Sequence, residues 1–132
     1  MKVLVATHVG QGEQDSDYCW TLDGELVSPL VLECCDGDRC GCRRGFPGFA
    51  SSRATTTAMV ADLEHFGDAE LLTAVTDYLT HAGWLTALDE RCRQDVIANE
   101  IKAIKQVTAA FPVGTILRRD GDEVYAARRR AA

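Results

Sequence analysis

No apolar run in these 132 residues approaches the roughly 20 needed to cross a bilayer as a helix, which argues against a membrane-spanning segment. The opening is equally short of a signal peptide. Lys2-Val3-Leu4-Val5-Ala6 is too brief for a hydrophobic core, and Thr7-His8-Val9-Gly10 makes a poor cleavage site. The expected location is therefore cytoplasmic. There is no internal repeat, and no low-complexity tract beyond Arg128-Arg129-Arg130-Ala131-Ala132. Positive charge is in deficit: 14 Lys and Arg against 20 Asp and Glu give a net charge of −6. An acidic chain does not bind nucleic acid through its whole surface, and double-stranded DNA is an unfavourable partner. Catalytic signatures are missing too. The chain has no P-loop, dinucleotide-binding fingerprint, nucleophile elbow or His-Glu-x-x-His helix. His8, His65 and His81 show no ligand spacing to one another, so solvated or locally bonded roles are expected for them. His8, closing the first strand, is the best placed of the three for chemistry. Together these absences favour a binding protein over an enzyme.

What is present reads as one domain over residues 1–127 with a flexible Arg-rich tail at 128–132, the length being typical of a single hydrophobic core. After a first strand comes an acidic loop in which Glu13, Asp15 and Asp17 alternate. It lacks the Gly and closing Glu of an EF-hand, so a solvated loop is expected there. Tyr18-Cys19-Trp20-Thr21-Leu22 and Glu25-Leu26-Val27 flank Asp23-Gly24, a two-residue hairpin cue, because Gly accepts positive φ without steric cost. Leu30-Val31-Leu32 continues the return strand past a kink at Pro29. Thr55-Thr56-Thr57-Ala58-Met59-Val60 is β-prone. An anion cradle of these threonines beside Arg53 is the less favoured reading of that run.

Two helices follow. The first starts at Asp68, carries Leu71, Leu72, Val75, Leu79 and Ala82 at helical spacing, and ends at Gly83. The second spans about 88–110 with a stripe of Leu88, Cys92, Val96, Ile101, Ile104, Val107 and Phe111, stopped by Pro112. On this reading Cys92 is plain core. Asp120-Gly121, between Thr115-Ile116-Leu117 and Glu123-Val124-Tyr125, is a second hairpin cue. The order predicts an α+β fold: a mainly antiparallel sheet with two Asp-Gly hairpins, two helices on one face, and a Cys-rich metal-binding loop at 33–48.

Charge is distributed in blocks. Residues 1–38 carry a net −7, and 39–53 carry four Arg (Arg39, Arg43, Arg44, Arg53) with no acid. Residues 54–117 carry −5, and the last fifteen carry +2 with five Arg. The first Arg island coincides with the cysteines. Five of the six fall between Cys19 and Cys42, centred on Cys34-Cys35-Asp36-Gly37-Asp38-Arg39-Cys40-Gly41-Cys42. In a reducing compartment such clustering favours metal over disulfides. Structural zinc takes four tetrahedral ligands, and the Cys35 to Cys40 spacing suits one turn of backbone relaxed by Gly37. Cys40-Gly41-Cys42 is tighter than the usual zinc knuckle, and vicinal Cys34 and Cys35 point apart if the strand persists. The ligands expected are Cys40, Cys42 and one of Cys34 or Cys35, with Cys19 or the other vicinal cysteine as fourth. In a straight hairpin Cys19 faces Ser28, which leaves about six residues, or roughly 20 Å, to Cys34. A bend at Pro29 or a loop folding back is needed to close that distance.

Asp17-Tyr18-Cys19-Trp20-Thr21, Arg39-Cys40-Gly41-Cys42-Arg43-Arg44 and Ala54-Thr55-Thr56-Thr57 also carry a resemblance. The chain resembles a family of small actinobacterial proteins known as a domain of unknown function. The likeness covers about the first two-thirds and fades over the second helix and last hairpin. It implies that Cys19 belongs to one motif set with Cys40 and Cys42, and it implies no activity.

The expected function is a non-enzymatic binding module. Structural Zn2+ fixes the loop and presents Arg39, Arg43, Arg44 and Arg53 to an acidic partner, namely RNA, a ribosome-like assembly or a protein. Phe46 and Phe49 are placed either as apolar anchors for the partner or as plugs beneath the loop. The competing readings are a redox or thiol enzyme, with Arg39 and Arg43 lowering a thiol pKa, and an accessory subunit docking by an apolar helix face.

Overall fold

The computed structural model describes residues 2–10, 12, 17–33, 56–120 and 123–129 of the chain. They form an α+β unit: strands β1 (Val3–Val9), β2 (Asp17–Thr21), β3 (Thr56–Asp62), β4 (Ile116–Asp120) and β5 (Glu123–Ala126), with helices α1 (Asp68–His81) and α2 (Glu90–Ala110). The sheet is antiparallel in the order β3-β1-β2-β4-β5. Leu4, Ala6, Trp20, Met59, Ala61 and Leu117 share one face and pack with Leu71, Val75 and Leu79 of α1 and Ile97, Ile104 and Val107 of α2. Strand alternation decides this. Leu4 pairs with Ala61, Ala6 with both Met59 and Trp20, and Trp20 with Leu117, so each residue shares the face of its neighbours.

The caps account for the helix ends. Gly83 has φ +82°, its N–H donates to the Thr80 carbonyl at 3.2 Å, and the Trp84 N–H donates to the Leu79 carbonyl at 3.0 Å. That double bond is a Schellman cap, which needs a residue tolerant of positive φ. The cap also holds Trp84 against the core. Gly67, one residue before the expected Asp68, is the N-cap of α1, and it makes no side-chain capping bond. Asp89 caps α2, its Oδ1 accepting from the Cys92 N–H at 2.8 Å.

The first Asp-Gly turn does not produce a hairpin. Gly24 takes φ +84° and Glu25 N–H donates to Asp23 Oδ1 at 2.9 Å, so the turn chemistry is realised. However, β2 is already paired on both edges, with β1 and β4, and no edge is left for a return strand. Residues 25–28 instead form no strand and run over the face opposite the helices. There Thr21 Oγ1 donates to the Glu25 carbonyl, and the Cys19 thiol to the Val27 carbonyl at 3.3 Å. Pro29–Val31 is a single 3-10 turn rather than a strand, begun by Ser28. Beyond it, Leu32 bridges to Arg129. At the other hairpin cue, β4 and β5 pair antiparallel with Asp120 opposite Glu123, and residues 121–122 between them lie outside the described residues.

The expected stripe of α2 is borne out at Ile104 and Val107, which are buried, and at Leu88, Val96, Ile101 and Phe111, which pack against the core. Ile97 and Glu100 are buried as well, whereas Cys92 is exposed in the first turn. The sequence reading missed Glu100 because it is an acid at a core position. The core and exposed positions are separable by urea unfolding. Ile97→Ala is expected to cost about 2–5 kcal/mol and Cys92→Ala no more than about 0.5 kcal/mol. The reverse ranking would put Cys92 back in the core.

Candidate functional site

Every residue of β2 is buried, so each of its faces has a chemistry of its own. On the helix side, the Tyr18 hydroxyl donates to Glu100 Oε2 at 2.8 Å, and Arg119 forms an ion pair with the same carboxylate. The Arg119 guanidinium lies 5.7 Å from the Tyr18 ring centroid and 5.5 Å from that of Trp20, within cation–π range. Burial pushes the Tyr18 hydroxyl well above its ordinary pKa, so it stays a hydrogen-bond donor. On the other side, Arg118 is paired with Asp17, and its Nη1 donates to the Pro29 carbonyl at 3.2 Å. Asp17 is thus a buried ion-pair partner and no part of a solvated acidic loop. Two of the five arginines in the C-terminal island, Arg118 and Arg119, are spent inside the fold.

Cys19 sits on this second face, fully enclosed, in one apolar cluster with Val27 and Leu32. Burial raises its thiol to about 12, despite the nearby Arg118 cation. It is therefore a protonated core thiol as described, and a poor nucleophile. Its neighbour Leu32 stands two residues before Cys34, so the turn at Pro29–Val31 removes the long separation of a straight hairpin. Cys34, Cys35, Cys40 and Cys42, with Arg39, Arg43, Arg44, Arg53, Phe46 and Phe49, lie outside the described residues, as do Glu13, Asp15 and Thr55. Among the described residues no three His, Cys, Asp or Glu side chains gather as a metal site.

The chain on either side of that segment is well anchored. Glu33 N–H donates to the Arg128 carbonyl at 2.7 Å, and the side chains of the same two residues pair at 3.3 Å. Arg129 pairs with Glu25. Both Arg128 and Arg129 are exposed. Arg39 follows Glu33 by six residues, so chain length alone keeps the two backbones within about 22 Å. Arg128 and Arg129 of the C-terminal island therefore meet the chain at Leu32 and Glu33, six residues before the first island begins. Thr56 opens β3, which forms the sheet edge opposite β5.

The histidines divide clearly. His65 is exposed and pairs with Asp62 at 2.8 Å, and His81 is exposed with Nδ1 2.7 Å from the Asp77 carbonyl. His8 is fully buried between Tyr18 and Trp84, at centroid distances of 6.1 and 5.5 Å. Trp84 Nε1 donates to His8 Nε2 at 3.1 Å, which requires that nitrogen to be unprotonated. The Gly12 carbonyl lies 3.1 Å from the same nitrogen. A groove of about 520 Å3 between the helices is lined by Thr76, Thr80, Leu85, Thr86, Glu90 and Arg93, among others. Ala87, at its rim, holds φ 63°. Sequence reasoning missed Glu100, Arg118 and Arg119, whereas Trp84 packs behind Gly83 as the helix end implied. The available signal was Arg118-Arg119 inside a β-prone run, where successive residues face opposite ways.

His8 gives a pH dependence of defined sign. Burial lowers its folded pKa below 6.5, against a partial offset from the Gly12 carbonyl. The unfolded chain then binds a proton that the folded chain refuses, so stability falls as pH drops through about 6.5 toward the lower folded value. Relative to His8→Gln, the wild type is expected to lose stability over that window by at most about 1.4 kcal/mol per pH unit. Urea midpoints for the two proteins from pH 8 to 5 measure it, and parallel curves would remove His8 as the cause.

No curated protein and no solved structure matches this chain. A family model does match, across residues 1–131, a range that includes both Arg islands and the whole cysteine cluster. The chain belongs to the family described as Domain of unknown function (DUF7715).

Proposed function

We propose that the protein is a non-enzymatic, cytoplasmic binding module in which zinc organises the cysteine segment and a joint basic surface receives an acidic partner. The observation that carries this reading is the meeting of Arg128 and Arg129 with Leu32 and Glu33, at the residue before Cys34. That contact adds two exposed guanidinium groups to the neighbourhood from which Arg39, Arg43 and Arg44 follow. Glu33 and Glu25 offset part of this charge, so the surface is a local anion site on an acidic protein.

The enclosure of Cys19 bears on the ligand set. Its thiol already donates to the Val27 carbonyl, and any metal there would stand beside the Arg118 cation. This favours Cys34, Cys35, Cys40 and Cys42 as the four ligands, with Cys19 a core thiol. The contact between Leu32 and Cys19 keeps Cys19 within reach as the alternative fourth. Bound zinc would supply no reaction step. It would hold the segment in one arrangement, and the arginines would carry recognition.

Elemental analysis of protein purified without tag or chelator is expected to find one zinc per chain. Cys40→Ser with Cys42→Ser should abolish it, and Cys19→Ala should retain it at reduced stability. Metal-free protein with freely titrating Cys40 and Cys42 would contradict the zinc reading. For a single-stranded RNA probe, Arg43→Ala with Arg44→Ala should lower the log–log salt slope of binding by about 1.4, at roughly 0.7 per charge. An unchanged slope would move the partner from nucleic acid to an acidic protein surface.

A further inference from the structure

The two edges of the sheet are built differently. β5 is four residues long and is followed by Arg128 and Arg129. β3 runs for seven, and from Thr56 through Ala61 it carries no charge and no proline. Natural sheets blunt exposed edges with short strands, charges or proline, and β5 has the first two of these devices. From Thr56 through Ala61 β3 has none, although Val60 is 61% exposed.

The ladder shows which groups of β3 remain open. Leu63 N–H donates to the Lys2 carbonyl, and Gly24 N–H to that of Val3, so even-numbered residues of β1 bond toward β3 and odd-numbered ones toward β2. The pairs Leu4–Ala61, Ala6–Met59 and His8–Thr57 are consequently the hydrogen-bonded ones. The N–H and C=O groups of Thr56, Ala58 and Val60 point away from β1, and no described residue pairs with them. The side chains of the same three residues are exposed on the face opposite the helices.

We infer that β3 is a homodimerisation edge whose occupant is β3 of a second copy, joined antiparallel about a two-fold axis at Ala58. In that register Ala58 faces its own copy and Thr56 faces Val60 in both directions, so every outward N–H and C=O of the three residues is used. A strand that satisfies its own pattern is what an isologous interface requires. Ala58 at the axis leaves room for close approach, and each Thr56–Val60 contact is a β-branched cross-strand pair. The register also holds the two Asp62 residues about 26 Å apart, at eight residues of strand rise, so like charges do not meet. Edge pairing alone buries less than a standard interface, which makes the dimer concentration-dependent.

Sedimentation velocity over a hundredfold range of protein concentration, in reductant, tests this. Wild type should pass from monomer to dimer as concentration rises. Ala58→Pro removes an N–H that the β1 ladder does not use, and Val60→Lys sets a charge on the edge. Both should remain monomeric throughout. Each variant should keep the circular dichroism and dilute-solution melting of the wild type, and Val60→Lys does so even if the proline strains the strand. A wild type that stays monomeric at the highest concentration overturns the inference, and so does a dimer that survives Val60→Lys.

Discussion

Two consecutive arginines of β4 hold this structure in register. Arg118 faces away from the helices and Arg119 toward them, and both are largely removed from water. Each guanidinium meets a carboxylate from a different element, Asp17 at the start of β2 and Glu100 in the middle of α2. Desolvating a charge costs several kcal/mol unless it is paired, so neither arginine tolerates the other's position. A one-residue slip of β4 would exchange their faces and leave both unpaired. Hydrophobic burial favours the sheet and helices as such, and these ion pairs select the alignment. Tyr18 extends the effect by donating to Glu100, which ties β2 to α2 through the same carboxylate.

The alignment of β4 has consequences at the far side of the sheet. With β4 seated beside β2, residues 25–32 have no edge to join and run over the second face, where Val27 and Leu32 enclose Cys19 and the Pro29 carbonyl accepts from Arg118. That route delivers the chain to Glu33 beside Arg128, at the threshold of the cysteine segment. The proposed basic surface and its metal centre thus depend on where β4 lies, although they share no side chain with the Glu100 network. On the helix side, Trp84 is held by the α1 cap and donates to His8.

Much of the framework was legible from local chemistry. Gly83 announced its cap because few residues accept positive φ, and Pro112 marked the end of α2 because it cannot continue a helix. The β-prone threonine run became β3. What could not be read was whatever depends on partners distant in sequence. Asp23-Gly24 formed its turn, but the hairpin lost to β4, whose approach no local pattern reveals. Glu100 was missed because an acid paired to Arg119 can occupy a core position, and hydropathy carries no record of the pairing, while Cys92, expected in the core, is exposed. Arg118 and Arg119, counted only within the C-terminal charge block, were missed for the same reason. Of the candidate site, Cys19 and the two anchors of the cysteine segment are placed, and the four clustered cysteines lie beyond the described residues.

The account stands most directly on a double-mutant cycle at Glu100 and Arg119, read by equilibrium unfolding in urea at neutral pH. Glu100→Leu and Arg119→Met should each cost about 3–5 kcal/mol by stranding the other charge, and the double variant should cost far less than their sum. That result would show that the pair sets the register while apolar packing supplies the stability. Additive losses, or single variants within about 0.5 kcal/mol of wild type, would contradict it.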